Sequence, residues 1–282
     1  MKKYKLVIAA VAAAVALTAF ALPQAGAIWR TFNQHSPESG LQVAYGNYSD
    51  VTALHKFGRN TSIDSATPED IWGGGGTYTF PTAAETIAIV STDVNDDGDP
   101  ADTGARTFMI EGLDANYLEI TEAVTLNGTT PVNTTLLFLR VHRSYVLTAG
   151  TTGTNEGVIS AVNTSAGDNL FSIPLGKGQS TLGFYTVPAF TRLLITQMHT
   201  SVGSGAAASE AVIELVIRPF GGAFRAIFYD AVENDGLSSN NQEFTPPMLI
   251  AAKTDIKLRA TVSKNSTDVN GGFGGYLVAI PQ

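Results

Sequence analysis

In residues 255–263, Ile256, Leu258, Ala260 and Val262 alternate with Lys257, Arg259, Thr261 and Ser263. A period of two marks a pleated strand with one dry and one wet face, because successive side chains leave opposite sides of the backbone. Residues 211–218 repeat the pattern: Ala211, Ile213, Leu215 and Ile217 alternate with Val212, Glu214, Val216 and Arg218. A short helix over 206–214 is the competing reading there, but Val212, Ile213, Val216 and Ile217 are β-branched and favour extended backbone. Apolar runs at 86–91, 106–111, 117–126, 138–147, 158–162, 193–199, 224–229 and 275–280 add further strands. Turn signals separate them, among them Asn127-Gly128, a dipeptide suited to positive φ. Short strands at such spacings predict an all-β protein built from two antiparallel β-sandwich or jelly-roll-like domains.

The chain has 282 residues, room enough for two domains. The small, polar stretch 162–170 reads as the linker, giving a β-rich domain at 70–162 and a β-sandwich domain at 167–282. Before them, residues 28–69 have weak periodicity and read as an irregular arm, with Trp29 and Phe32 as anchors. Residues 1–27 begin with Lys2, Lys3 and Lys5, continue through an uncharged Ala/Val/Leu-rich run at 6–22, and end in Pro23-Gln24-Ala25-Gly26-Ala27. That is the pattern of a secretory signal peptide cleaved near Ala27. The alternative is a retained anchor, with membrane contact only through residues 6–22.

Charge and motif content narrow the function classes. A formal charge of -8 disfavours nucleic acid as a partner, since the phosphate backbone repels an acidic surface. The absence of cysteine removes disulfides, thiolate metal ligands and thiol nucleophiles. His35, His55, His142 and His199 are scattered, without HxH or HExxH spacing. No G-x-S-x-G is present, and the loop at 176–181 lacks the G-K-[ST] ending of a phosphate loop. The expectation is a protein that is not an enzyme and needs no cofactor, with calcium as the one candidate ion. Asp93, Asn95, Asp97 and Asp99 follow the D-x-N-x-D-G opening of a calcium loop, in which alternate oxygens converge on a hard cation and Gly98 permits the sharp turn. Gly104 stands where that loop needs a bidentate acid, so a solvated acidic loop between strands is the rival account. The glycine clusters at 73–76 and 271–275 read as hinges, bulges or places of close backbone approach.

Two sets of residues carry a family resemblance. The first is the ordered series Ile71-Trp72-Gly73-Gly74-Gly75-Gly76-Thr77-Tyr78-Thr79-Phe80-Pro81, Thr103-Gly104-Ala105-Arg106-Thr107, Glu111-Gly112-Leu113-Asp114-Ala115-Asn116-Tyr117, Leu126-Asn127-Gly128-Thr129 and Phe138-Leu139-Arg140-Val141. The second is Val187-Pro188-Ala189, Arg218-Pro219-Phe220-Gly221-Gly222-Ala223-Phe224 and Lys253-Thr254-Asp255-Ile256-Lys257-Leu258-Arg259-Ala260. Together they resemble virion structural proteins of tailed bacteriophages, over roughly residues 70–282. The resemblance implies a capsid-associated, decoration, fibre or tail-adaptor protein located in the virion. Its partners would be its own copies and other virion subunits. The signal-like leader points instead to export, so a secreted or cell-surface filament subunit on the same domains is the alternative. A carbohydrate-binding module is the third reading. It requires aromatics such as Trp72, Tyr78 and Tyr185 exposed on one sandwich face, with paired carboxylates nearby.

Overall fold

The computed structural model describes residues 37–203, 209–233 and 238–280. The leader at 1–27, Trp29, Phe32 and His35 lie outside them. The chain divides into two compact units, 1–52 and 53–282. In the first, helix α1 (Pro37–Ala44) starts at a proline, whose fixed φ suits the first helical turn. It closes on Gly46 at φ +71, with Gly46 N–H donating to Val43 O and Asn47 N–H to Gln42 O. This is a Schellman cap, in which the left-handed glycine lets the last carbonyls find donors. Among the described residues, no helix is long and apolar enough to cross a membrane.

The rest is strand. In chain order the strands are β1 (Val51–Ile63), β2 (Glu69–Asp70), β3 (Ile87–Ser91), β4 (Ala105–Leu113), β5 (Glu119–Thr125), β6 (Val132–Asn133), β7 (Arg140–Ala149) and β8 (Ile159–Asn163). There follow β9 (Asn169–Ile173), β10 (Phe184–Thr186), β11 (Thr191–Val202), β12 (Glu210–Arg218), β13 (Arg225–Glu233), β14 (Ser238–Ile250), β15 (Asp255–Val262) and β16 (Thr267–Ala279). They form four sheets, of order β1-β16-β11-β14, β10-β15-β12-β13, β6-β3-β8-β9 and β5-β4-β7, with β2 added to the outer edge of β15. The pairings are antiparallel. The all-β fold class expected from the alternation is therefore observed.

The four sheets make two sandwiches. Leu193, Ile195 and Phe273 of the first sheet bury against Ile213, Leu215, Ile256 and Leu258 of the second. Ile87, Ile89, Ile159 and Phe171 of the third meet Phe108, Ile110 and Val124 of the fourth. Period-two alternation also divides residues between the two cores. Ile71 enters the first core and Trp72 the second; Phe184 enters the second and Tyr185 the first. The polar stretch read as a linker is the turn between β8 and β9, which pair from Ile159↔Ile173 to Val162↔Asn169.

Two other local features depart from the sequence pattern. The arm expected at 28–69 contains β1, whose burial follows no strict alternation. Gly58 in its middle lies so close to Ile71 O and Gly183 that a Cβ would stand 2.1 Å from the carbonyl oxygen. Pro246-Pro247 falls inside β14, where the register against β11 jumps from Ile195↔Met248 to Gln197↔Glu243. β14 is an edge strand. Proline has no N–H to give a ladder, so the pair is accommodated in an edge bulge.

The glycines of 271–275 lie in β16, a central strand, and are places of close approach. A Cβ on Gly275 would stand 1.9 Å from Leu194 O, and one on Gly272 2.4 Å from Lys56 O. Gly275→Ala is expected to lower stability by about 2–3 kcal/mol through overpacking against backbone. Gly153→Ala, at φ +71 with open space around it, should cost only the left-handed strain of about 1 kcal/mol. Urea unfolding of both variants checks the difference; equal losses would refute it.

Candidate functional site

The four predicted calcium ligands sit in the loop after β3, where one oxygen of each aspartate accepts from a nearby backbone amide. Asp93 Oδ1 accepts from Asn95 N–H, Asp97 Oδ1 from Asp99 N–H and Asp99 Oδ1 from Ala101 N–H, at 2.8–2.9 Å. Asn95 Nδ2 donates to Glu156 Oε2 at 3.1 Å. These are Asx turns, a carboxylate closing on the amide two residues ahead. Among the described residues, no group of three or more His, Asp or Glu side chains gathers to hold a metal. The organising residue is the fully buried Asp96 between them. Its Oδ1 accepts from the amides of Ala105 and Glu156, its Oδ2 from Ser91 Oγ and the amide of Gly157. Four donors on one carboxylate replace the water it has lost.

The densest chemistry lies elsewhere, on the face of β15 that the alternation presents as wet. Asp255 and Lys257 are buried there. Arg140 of β7 reaches Asp255 with both arms, Nε to Oδ1 at 2.9 Å and Nη2 to Oδ2 at 3.2 Å, and its Nη1 donates to Pro81 O and Leu139 O. Arg218 donates to Oδ2 through Nε at 2.9 Å and Nη2 at 2.5 Å, and Thr186 Oγ1 donates to Oδ1 at 2.6 Å. Burial pushes the Asp255 carboxyl up, but the bonds and charge of Arg140, with Thr186 and Arg218, outweigh it and hold the group below the usual carboxylate range. Phe80 lies 5.3 Å from both guanidinium carbons, and Phe224 lies 4.5 Å from that of Arg218. Two cations on one anion leave net positive charge, which these ring faces help to hold.

Beside this cluster, Lys257 Nζ stands 2.8 Å from both oxygens of Asp70, donating to Oδ2 and leaving Oδ1 without a hydrogen bond. Burial keeps the Asp70 carboxyl above its ordinary value despite the lysine. Asp70 Oδ2 also accepts from Tyr78 N–H at 2.8 Å. His142 is buried against Tyr185, ring centroids 4.1 Å apart, and its Nε2 accepts from Thr186 N–H. Burial, with Lys56 and Arg140, pushes its pKa well down, so the ring is a neutral acceptor. Lys56 donates to His142 O; burial and then Arg143 pull its ammonium down to about 7, against the opposing pull of Glu111. His55 and His199 are exposed on flanking strands β1 and β11. Trp72, Tyr78 and Tyr185, the aromatics a carbohydrate-binding face would expose, are 3–4% exposed and belong to the cores.

At the outer end of the Asp255 cluster a cavity of ≈ 160 Å³ opens between Tyr117, Arg140, Arg218, Phe220, Lys253 and Asp255. The sequence marks Asp255 and Lys257 only as the wet half of a strand. Their pairing with residues 115 and 187 positions away becomes visible only in three dimensions.

No family model matches the chain, and neither does any curated protein. Among solved structures, the chain is similar to that of the Gx strain of infectious bursal disease virus, at 13% identity over 82% of this chain and 73% of that one, with a TM-score of 0.20. It is also similar to the VP2 subviral particle of the same virus, at 12% identity over 81% and 72%, with a TM-score of 0.21.

Removing one partner of a buried, hydrogen-bonded pair strands the other, so Asp255→Leu and Arg140→Leu should each cost about 3–5 kcal/mol in chemical unfolding. The double variant should be less destabilised than the sum of the two. The depressed folded pKa makes the contribution of Asp255 fully present above about pH 4 and lost as pH falls through its folded value. Asp255→Asn should accordingly flatten the acid limb of the stability profile. An additive double variant or an unchanged acid limb would count against the cluster as described.

Proposed function

We propose that the chain is a non-enzymatic structural protein of a tailed-phage virion, acting through assembly of its own copies with other virion subunits on the capsid, a fibre or the tail. One observation carries this reading. The stretches that resemble phage virion proteins are scattered between residues 71 and 260, yet most of them meet at one place in the fold. Phe80 and Pro81, Tyr117, Arg140, Arg218, Phe220 and Phe224, and Lys253, Asp255 and Lys257 form one cluster of ion pairs, carbonyl contacts and cation–ring contacts. Val187 and Ala189 are tied to it through Lys253 N–H to Val187 O and Ala189 N–H to Tyr117 O. The remaining stretches wrap Asp96, through Ala105 N–H to its carboxylate and Gly128 N–H to its backbone oxygen.

These residues thus brace a junction between two sandwiches. A braced junction serves shape, and a fixed shape is what a repeating subunit needs. Exposed apolar side chains on strands at sheet edges, Tyr229 of β13 and Leu249 of β14, supply surface for neighbouring subunits.

Mass spectrometry of purified phage particles, with negative-stain microscopy of the expressed full chain, tests this. The expected result is the chain in many copies per particle and ordered assemblies of the isolated protein. A monodisperse monomer absent from particles overturns the proposal. Recovery from bacterial culture medium with Ile28 as its first residue also overturns it, in favour of an exported surface subunit.

A further inference from the structure

The cavity beside Asp255 has the chemistry of a ligand site. Three cations line it, Arg140, Arg218 and Lys253, against the single carboxylate of Asp255. Arg140 spends its donors on Asp255 and two carbonyls. Arg218, whose side chain is 29% exposed, uses Nε and Nη2 on Asp255, and its Nη1 donates to no protein group among the described residues. Lys253 Nζ likewise has no carboxylate partner there; it stands 5.4 Å from the ring centres of both Tyr117 and Phe220. Those two rings meet edge to face at 5.8 Å, and Phe220 is 67% exposed.

The backbone around the cavity is held in unfavourable conformations. Tyr117 at φ 65 and Lys253 at φ 60, both lining it, are two of the four non-glycine residues with positive φ among the described residues. They are linked through Ala189 N–H to Tyr117 O and Lys253 N–H to Val187 O. Left-handed backbone at bulky residues persists only where surrounding structure imposes it, and such strain concentrates where side chains are held for a ligand.

We propose that this cavity binds the carboxylate of an acidic sugar residue, of uronic or sialic acid type, in a surface polysaccharide. The notch has room for a carboxylate and the atoms next to it. The carboxylate takes the free Nη1 of Arg218 and Nζ of Lys253. The ring that bears it stays outside the notch and lays its C–H face on the exposed face of Phe220. An isolated phosphate uses the charges but leaves that ring uncovered, so the combination favours a carboxylate borne on a ring with a C–H face, as in a sugar acid. The site does not depend on the assembly proposed above, because a monomer presents the same cavity; either proposal can fail alone.

Isothermal titration of the full chain with sialyllactose and a glucuronate disaccharide, against lactose and inorganic phosphate, tests the site. Binding to at least one acidic sugar and not to lactose is expected, weakening as salt rises. Phe220→Ala and Lys253→Asn should each weaken it by about tenfold, which corresponds to the loss of one good contact. Asparagine tolerates the left-handed backbone at 253, and Phe220 is exposed, so both variants should stay folded with a small fall in melting temperature, which thermal melts check. Equal binding of lactose, binding of phosphate alone, no binding at all, or affinity unchanged in both variants would overturn the proposal.

Discussion

The carboxylate of Asp255 is the point on which the arrangement of the two sandwiches turns. It is buried on β15, a strand whose other face contributes Ile256, Leu258, Ala260 and Val262 to the first core. Arg140, which grips it with both arms, comes from β7 in the other sandwich, next to Val141 and Phe138 of the second core. An ionised carboxylate taken out of water without partners would cost several kcal/mol even after relaxation. Arg140, Arg218 and Thr186 remove that cost, and Arg140 can do so only if the sandwiches meet in one register.

The same geometry explains why the polar residues Asp255 and Lys257, at the start of a strand with an obviously amphipathic sequence, have little contact with water. The alternation in 255–263 correctly places the apolar residues on one face. It says nothing about what covers the other, because a charged side chain looks alike in sequence whether it faces solvent or a countercharge. Here Asp70 and Lys257, and Glu214 and Arg259, cover that face in pairs. Phe224, 4.9 Å from Lys257 Nζ, adds an aromatic lid.

Legibility followed the physics of each element. β12 and β15 declare themselves because burial on one side imposes a strict period. β1 does not, for its burial is irregular and its central glycine, forced by the carbonyl of Ile71, reads as a loop. The first half of β16 hides for a related reason, although 275–280 reads as strand: Gly271, Gly272, Gly274 and Gly275 erase the apolar period in a strand packed between two others. In the acidic loop the motif directs attention to the alternate positions 93, 95, 97 and 99. The residue that holds the loop is Asp96, at the position the motif leaves unspecified. Its partners at 156 and 157 are too far along the chain for any local pattern to show.

An apolar interface alone would hold the sandwiches together but tolerate sliding, since dispersion and hydrophobic burial are indifferent to small shifts. A bidentate arginine–carboxylate contact is directional and loses its second bond with a modest rotation. With a second arginine on the same carboxylate and carbonyls fixing the first, the junction has one favourable geometry. This directional constraint fixes the relative orientation of the sandwiches, whatever the net stability from buried charge. In the assembly proposed above, a small error in the angle between sandwiches would be repeated in every copy. The cavity at the outer edge of the junction inherits that rigidity, since Arg140, Arg218 and Asp255 both fix the sandwiches and line its wall.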